Sequence, residues 1–286
     1  MIYLLLSILF STITVSFFKL FERYGVDTLQ GIVFNYLTCA IAGSIIMGSN
    51  PIAQQVWQKP WFIYTVMLGV LFITIFFAIA QTAQRISVSA SMVAAKLSVV
   101  IPVLVAVFLY NSPINTLNIA GILISFVAVW LISQKQRTNR QASKNLLWLP
   151  LAVFLGSGCI DSLLNYIQKK FIPPATEAKL VTTVFSNAFL FGIIFLLVQV
   201  VIGNTKLRLK NILWGFALGI PNYFSMYFLV KTLTLFEPTR IFPINNIGIV
   251  AASTIAGVIF FTEKPTLLNK IGLLLAIFSI VLISRV

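Results

Sequence analysis

The sequence predicts an all-α integral membrane protein of ten transmembrane helices, built as two inverted five-helix repeats, and three observations carry that expectation. The chain has 286 residues, of which 59% are hydrophobic and 9% charged, whereas a soluble domain carries roughly 25% charged residues. Apolar stretches of about 20 residues, long enough to cross a bilayer as helices, recur to the last residue, unlike a signal peptide on a soluble body. The third observation is an internal repeat. Leu117-Asn118-Ile119-Ala120-Gly121 returns as Leu268-Asn269-Lys270-Ile271-Gly272, and Leu131-Ile132-Ser133 returns as Leu282-Ile283-Ser284, both 151 residues on. Each half therefore reads as one copy of the same unit.

Ten segments follow in order, at about 2–20, 28–48, 61–83, 87–109, 114–133, 146–168, 177–202, 209–233, 238–260 and 266–284. Asn50-Pro51 and Lys59-Pro60 frame the second gap, and Pro173-Pro174 stops the sixth segment, because proline has no N–H for the helical ladder. The polar stretch Gln134–Lys144 divides the chain into a first repeat at 1–133, a loop at 134–145 and a second repeat at 146–286. With one residue inserted at the turn between helices nine and ten, Leu68-Gly69 falls on Leu218-Gly219 and Gln81-Thr82 on Lys231-Thr232, at a separation of 150. Helices one and two match six and seven only faintly. Five helices per repeat is an odd number, so the second copy enters the bilayer in the opposite sense to the first.

The chain carries 20 Lys and Arg against 6 Asp and Glu. Most of the basic residues fall in short gaps between apolar stretches, which points to lipid headgroups and topology rather than nucleic acid. The side holding the one–two, three–four, five–six, seven–eight and nine–ten connections, called side A below, has Lys19, Arg23, Arg85, Lys135, Arg137, Arg140, Lys144, Lys206, Arg208, Lys210, Lys264 and Lys270. The opposite side B has Lys59, Lys169, Lys170, Lys179, Arg240 and Arg285. The positive-inside tendency puts side A in the cytoplasm and both termini outside. Cys39 and Cys159 lie in apolar runs without metal-ligand spacing, and read as small buried side chains.

A charge at the centre of a membrane helix costs about 2.5–3.5 kcal/mol, so each needs a reason. Lys96 lies well inside segment four. It either faces a central aqueous cavity, binding an anionic part of a substrate or titrating during transport, or pairs with a carboxylate or helix-end carbonyls as packing glue. Asp161 is the acidic residue deep in an apolar segment; it binds a substrate ammonium, carries a proton, or pairs with Lys96 or Lys231. Asn165 follows one turn later on roughly the same face. Lys231 is close enough to a helix end to snorkel, and its repeat-mate Gln81 is also polar. Asn245 and Asn246 align with Ala95 and Lys96, which directs this level of both copies toward one shared space. Pro102, Pro221 and Pro243 can free backbone carbonyls there, and Asn222, Tyr223 and Tyr227 are candidates for a cavity wall. The Phe doublets 17–18, 76–77 and 260–261 read as lipid contact and packing, and Trp57, Trp61, Trp130 and Trp148 as interfacial anchors.

The turn that closes the second repeat reads Phe261-Thr262-Glu263-Lys264-Pro265-Thr266-Leu267-Leu268-Asn269-Lys270-Ile271-Gly272. With the helix pattern and the repeat, it resembles the drug/metabolite transporter superfamily, specifically its EamA-like ten-helix proteins: an acidic residue, a short turn, then a helix with an early glycine. In the first copy Ser112 stands in the acidic place and Gly121 is kept. The resemblance covers essentially the whole chain. It implies a secondary transporter of small metabolites, amino acids or related compounds among them, with a cavity lined by helices three, four, eight and nine. It also implies cytoplasmic termini, which conflicts with the charge count.

The expected function is alternating access in a bacterial cytoplasmic membrane. The expected partners are a small polar or amphipathic substrate, membrane lipids and a coupling proton or ion, with monomer and homodimer both open. No cofactor, metal or nucleic acid is expected. There are no histidines and no Walker sequence, so histidine-based acid/base chemistry is excluded and a gradient is the expected energy source. A solute channel or membrane scaffold is the alternative, with an intramembrane enzyme behind both.

Overall fold

The computed structural model describes residues 2–48, 55–101, 104–105, 116–132, 146–171, 177–233 and 238–283. Ten α-helices are described: α1 (Ile2–Tyr24), α2 (Thr28–Met47), α3 (Phe62–Arg85), α4 (Val88–Leu97), α5 (Thr116–Ile132), α6 (Trp148–Phe171), α7 (Glu177–Val201), α8 (Leu209–Leu233), α9 (Pro238–Phe261) and α10 (Leu267–Ile283), with a 3₁₀ turn at Val56–Gln58. The protein is a multi-pass, all-α membrane protein. Six of these helices are long and apolar enough to cross a bilayer on length and composition alone, and α4, α5, α6 and α10 contribute shorter apolar stretches.

Helix boundaries follow local chemistry. Asp27 caps α2 by accepting the Gln30 N–H at 3.0 Å, and Gly48 ends it at φ +64°, where an L side chain would be strained. Ser87 caps α4 by accepting the Ala90 N–H at 3.0 Å. The largest departure from the sequence reading is in segment four. It was expected as one helix over 87–109, yet the helix ends at Leu97, turns at Ser98–Val99 and is helical again at 100–101 and 104–105. Two local causes act together. The Ser98 hydroxyl donates back to the Ala95 carbonyl at 2.6 Å, competing with the ladder. Pro102, outside the described residues, has no N–H to offer the Ser98 carbonyl, which accepts from the Ile101 N–H at 2.9 Å instead.

Helix packing is highly ordered. α5 lies along α10, α2 along α7 and α8, and α3 along α6 and α7; α1 packs on α8 and α9, and α4 on α6 and α9. The main apolar core joins α1, α2, α3, α7 and α8 through Phe18, Phe21, Tyr36, Phe185 and Leu218. Tyr36, fully buried, donates its hydroxyl to the Phe72 carbonyl at 2.9 Å, so the ring is buried without stranding its polar end. Phe18 meets Phe76 edge-on at 5.1 Å, and Phe17 and Phe21 both pack on Trp214.

Glycines set the closest seams. A Cβ at Gly219 on α8 would stand 2.8 Å from the Asn35 carbonyl oxygen on α2, and one at Gly69 on α3 would stand 2.9 Å from the Asn187 carbonyl carbon on α7. Membrane helices use such small residues to bring backbones together, since lipid leaves little hydrophobic drive between helices. Two expectations need correction. Trp61 is buried in the packing around Ile160 and Leu180 rather than standing as an interfacial anchor. Cys159 is exposed, on the same face of α6 as exposed Trp148, Leu151 and Leu155, because its helical position points it toward lipid.

Candidate functional site

Lys96 and Asp161 come together from opposite halves of the chain. Lys96 occupies the last turn of α4, where the helix C-terminus favours a cation. Asp161 sits midway along α6, and the two side chains attract each other electrostatically. They do not close to a contact ion pair; among the described residues that geometry is found for Lys19 and Glu22, at 3.2 Å. Ser98, at the interruption of segment four, stands beside the Asp161 carboxylate, while its hydroxyl proton goes to the Ala95 carbonyl. Sequence reasoning missed Ser98, because its neighbour Asp161 comes from the other half of the chain.

Burial shows where this pair faces. Lys96 is half-buried and Asp161 exposed, although α6 presents a lipid face of Trp148, Leu151, Leu155 and Cys159. At about 100° per residue, Asp161 lies on the inner stripe two turns from buried Phe154. The exposed carboxylate is thus turned away from the face that carries Trp148, Leu151, Leu155 and Cys159. Asn165, the expected continuation of this stripe, has a side chain outside the described residues.

The other candidates divide into three groups. Asn245 is 1% exposed and accepts from the Ser7 hydroxyl of α1 at 3.4 Å. Its neighbour Asn246 is 9% exposed and has no hydrogen bond among the described residues. On α8, Asn222 donates to Asn35 at 3.0 Å, while Tyr223 stacks on Tyr227 with ring centres 6.3 Å apart. Lys231 donates to the Tyr227 hydroxyl at 3.5 Å and lies 4.9 Å from the Tyr3 ring centre, a cation–π contact near side B. Gln81 is near side A, where it donates to Gln84 at 3.5 Å. The structure thus spreads the nine expected residues whose side chains are described along the bundle and brings Lys96 and Asp161 together at its middle.

Side A carries a polar network that sequence reading did not anticipate. Gln30, fully buried, donates to the Thr205 hydroxyl at 2.9 Å and to the Lys206 carbonyl at 3.0 Å, and accepts from Asn211 at 2.9 Å. Thr205 in turn donates to Asp27 at 3.1 Å. A cavity of about 450 Å³ is lined by these residues with Gly25, Gly203, Lys206 and Arg208. Its polar walls largely bond one another, which fastens the α1–α2 turn to the α7–α8 turn. It lies a full helix-half away from the charged pair.

Fold and charges define the class: a polytopic helical bundle of apolar helices with opposite charges at mid-span. Residues 169–285 match the EamA-like transporter family. Over 97% of the chain, and 95% of its counterpart, an uncharacterised protein of Haemophilus influenzae is 25% identical. A crystal structure superposes on 98% of this chain and 94% of its own with a TM-score of 0.58 and 14% identity, a likeness of fold alone.

Proposed function

We propose that the protein is a secondary transporter of a small polar or amphipathic metabolite, working by alternating access between two inverted five-helix repeats at 1–133 and 146–286. The observation that carries this reading is the mid-span placement of Lys96 and Asp161, from opposite halves, without a contact ion pair and with the carboxylate exposed on the inner face. Ionised groups held this way in a membrane helix are expensive unless they meet a solute or a proton.

Packing supports the repeats. Exchanging helices one to five for six to ten turns the α2–α8 seam into α7–α3, α1–α8 into α6–α3, and α1–α9 into α6–α4, each of which is a main packing pair. The α5–α10, α4–α9 and α2–α7 pairs map onto themselves. The aligned glycines Gly69 and Gly219 lie against Asn187 and Asn35. Two interconvertible copies give two access states of similar energy. The protein resides in a cytoplasmic membrane, needs no cofactor and performs no chemistry on its substrate, and Asp161 is the candidate proton carrier.

A metabolite uptake and efflux screen in cells carrying the gene, followed by flux in proteoliposomes, tests this reading. Saturable flux is expected. Lys96→Met should abolish binding of the transported solute while leaving a folded protein, and Asp161→Asn should remove pH-gradient-driven flux while sparing exchange. Flux that never saturates would make it a channel; chemical conversion of the solute would make it an enzyme.

A further inference from the structure

Glu263 stands on the turn between α9 and α10, yet its hydrogen bonds go to another helix. Its Oε1 accepts the Val88 N–H at 2.8 Å, and the Ser89 N–H is close enough to favour the charged carboxylate. These are orphan donors of the first turn of α4, where a carboxylate is favoured by both the free N–H groups and the helix dipole. The turn is shaped for this reach. Thr262 adopts φ +50°, an uncommon conformation for a β-branched residue, and the Glu263 N–H bonds back to the Gly257 carbonyl at 3.0 Å. A Cβ at Gly257 would strike the Glu263 carboxylate.

α4 is only ten residues long. Its first turn is held by Glu263 and its last turn carries Lys96, with Ser98 and Asp161 immediately beyond. We propose that Glu263 is a proton-sensitive latch on side A, which holds α4 from the second half of the chain and thereby positions Lys96 against Asp161. The transport role of that pair rests on the reading above; the latch itself does not.

Burial raises the Glu263 carboxyl above its ordinary range, opposed by the Val88 N–H, by Lys19 and by the Ser89 N–H. Lys19 is the charged group facing it from α1; it is shared with Glu22 at 3.2 Å and with the Gln84 carbonyl at 2.8 Å. The first turn of α4 brings hydroxyls and no titratable side chain, α3 ends in exposed Arg85, and Lys264 follows on the turn itself. The sign follows from the raised value. As pH falls, Glu263 takes up a proton sooner than an ordinary glutamate, loses its charge-assisted bonds, and releases α4. The device is one-sided in sequence: the residue aligned with Val88 is Pro238, which has no N–H, and Ser112, outside the described residues, replaces the acid.

The test needs no substrate. In nanodiscs, with Cys39 and Cys159 replaced by alanine, Ala95→Cys is labelled by a cationic methanethiosulfonate across pH 5–8, each rate divided by that of the unfolded protein at the same pH. Acidification should raise labelling about fivefold, the change given by about 1 kcal/mol of lost capping. Glu263→Gln should label at the high rate throughout, and Glu263→Asp should keep the pH dependence. A flat profile with Glu263 present, or an unchanged profile in Glu263→Gln, overturns the latch. If Glu263→Gln does not fold, the native profile decides: a rise in labelling on acidification keeps the latch, and a flat profile overturns it. Loss of the transport reading would appear only as absent flux, with this profile intact.

Discussion

Two kinds of helix seam run through the molecule, and they differ in what the glycines meet. At the α2–α8 and α3–α7 seams the opposing groups are backbone and the Cβ atoms it fixes: Thr38 Cβ and the Asn35 carbonyl, at 2.8 Å, from a Cβ on Gly219, and Asn187 Cβ at 2.7 Å and the Ala188 nitrogen at 3.0 Å from one on Gly69. At the α1–α9 seam, Gly248 faces the flexible end of Ile8, and on α6 Gly156 faces that of Ile75. Backbone has nowhere to go, whereas isoleucine can change rotamer. The polar content differs in parallel. The first seams hold neutral polar side chains, Asn222 bonded to Asn35 and Asn187 to the Thr65 hydroxyl, while α4 and α6 hold two charges out of contact. The helices α2, α3, α7 and α8 therefore form a frame, against which α1, α4, α6 and α9 have room to adjust.

The largest test of this contrast is steric. Gly219→Val should force α8 from α2 and cost stability at or above the top of the usual 1–3 kcal/mol range for overpacking, read as loss of monodisperse folded protein in detergent or a large drop in Tm. Gly248→Ala should cost about 1 kcal/mol or less, since Ile8 can yield. Equal losses from the two substitutions would erase the distinction between frame and movable helices.

A finer test uses two adjacent residues of α9. Asn245→Ala removes an acceptor for Ser7, which keeps its second bond to the Ser225 carbonyl at 3.0 Å, so the cost should be about 0.5–1 kcal/mol, with transport retained. Asn246→Ala removes an amide with no bond among the described residues; Tm should hold while transport falls several-fold. Reversed outcomes would move the solute path to the other side of α9.

How much of this was legible in the sequence depended on the kind of signal. Helix existence was, because a run of some 20 apolar residues has few alternatives in a bilayer. The repeat glycines Gly69 and Gly219 were visible as aligned letters, but their purpose required the partner backbones. Lys96 and Asp161 were legible because charge is rare at depth. Ser98, Gln30 and Glu263 were not: a serine or glutamine in an apolar run reads as neutral text, and Glu263 reads as a turn residue until its partner, 175 residues away in sequence, is placed beside it. Cross-chain hydrogen bonding leaves no periodicity to read.

The smallest expected effect lies near side B. Lys231 sits over Tyr3 at 4.9 Å and over Tyr227 at 5.6 Å, and a partly exposed cation–π contact is worth about 0.5–1 kcal/mol. Lys231→Met keeps the apolar stem and removes the charge, so stability should fall by no more than that amount. If the charge also draws anionic solutes toward the site, KM should rise while kcat stays, because the interaction is made before the solute reaches mid-span. Raising salt should then weaken the native protein's advantage over the variant, since the attraction of a solvent-accessible charge is screened within a Debye length. A fall in kcat at unchanged KM would instead make Lys231 part of the moving machinery, and α8 could no longer be assigned wholly to the frame.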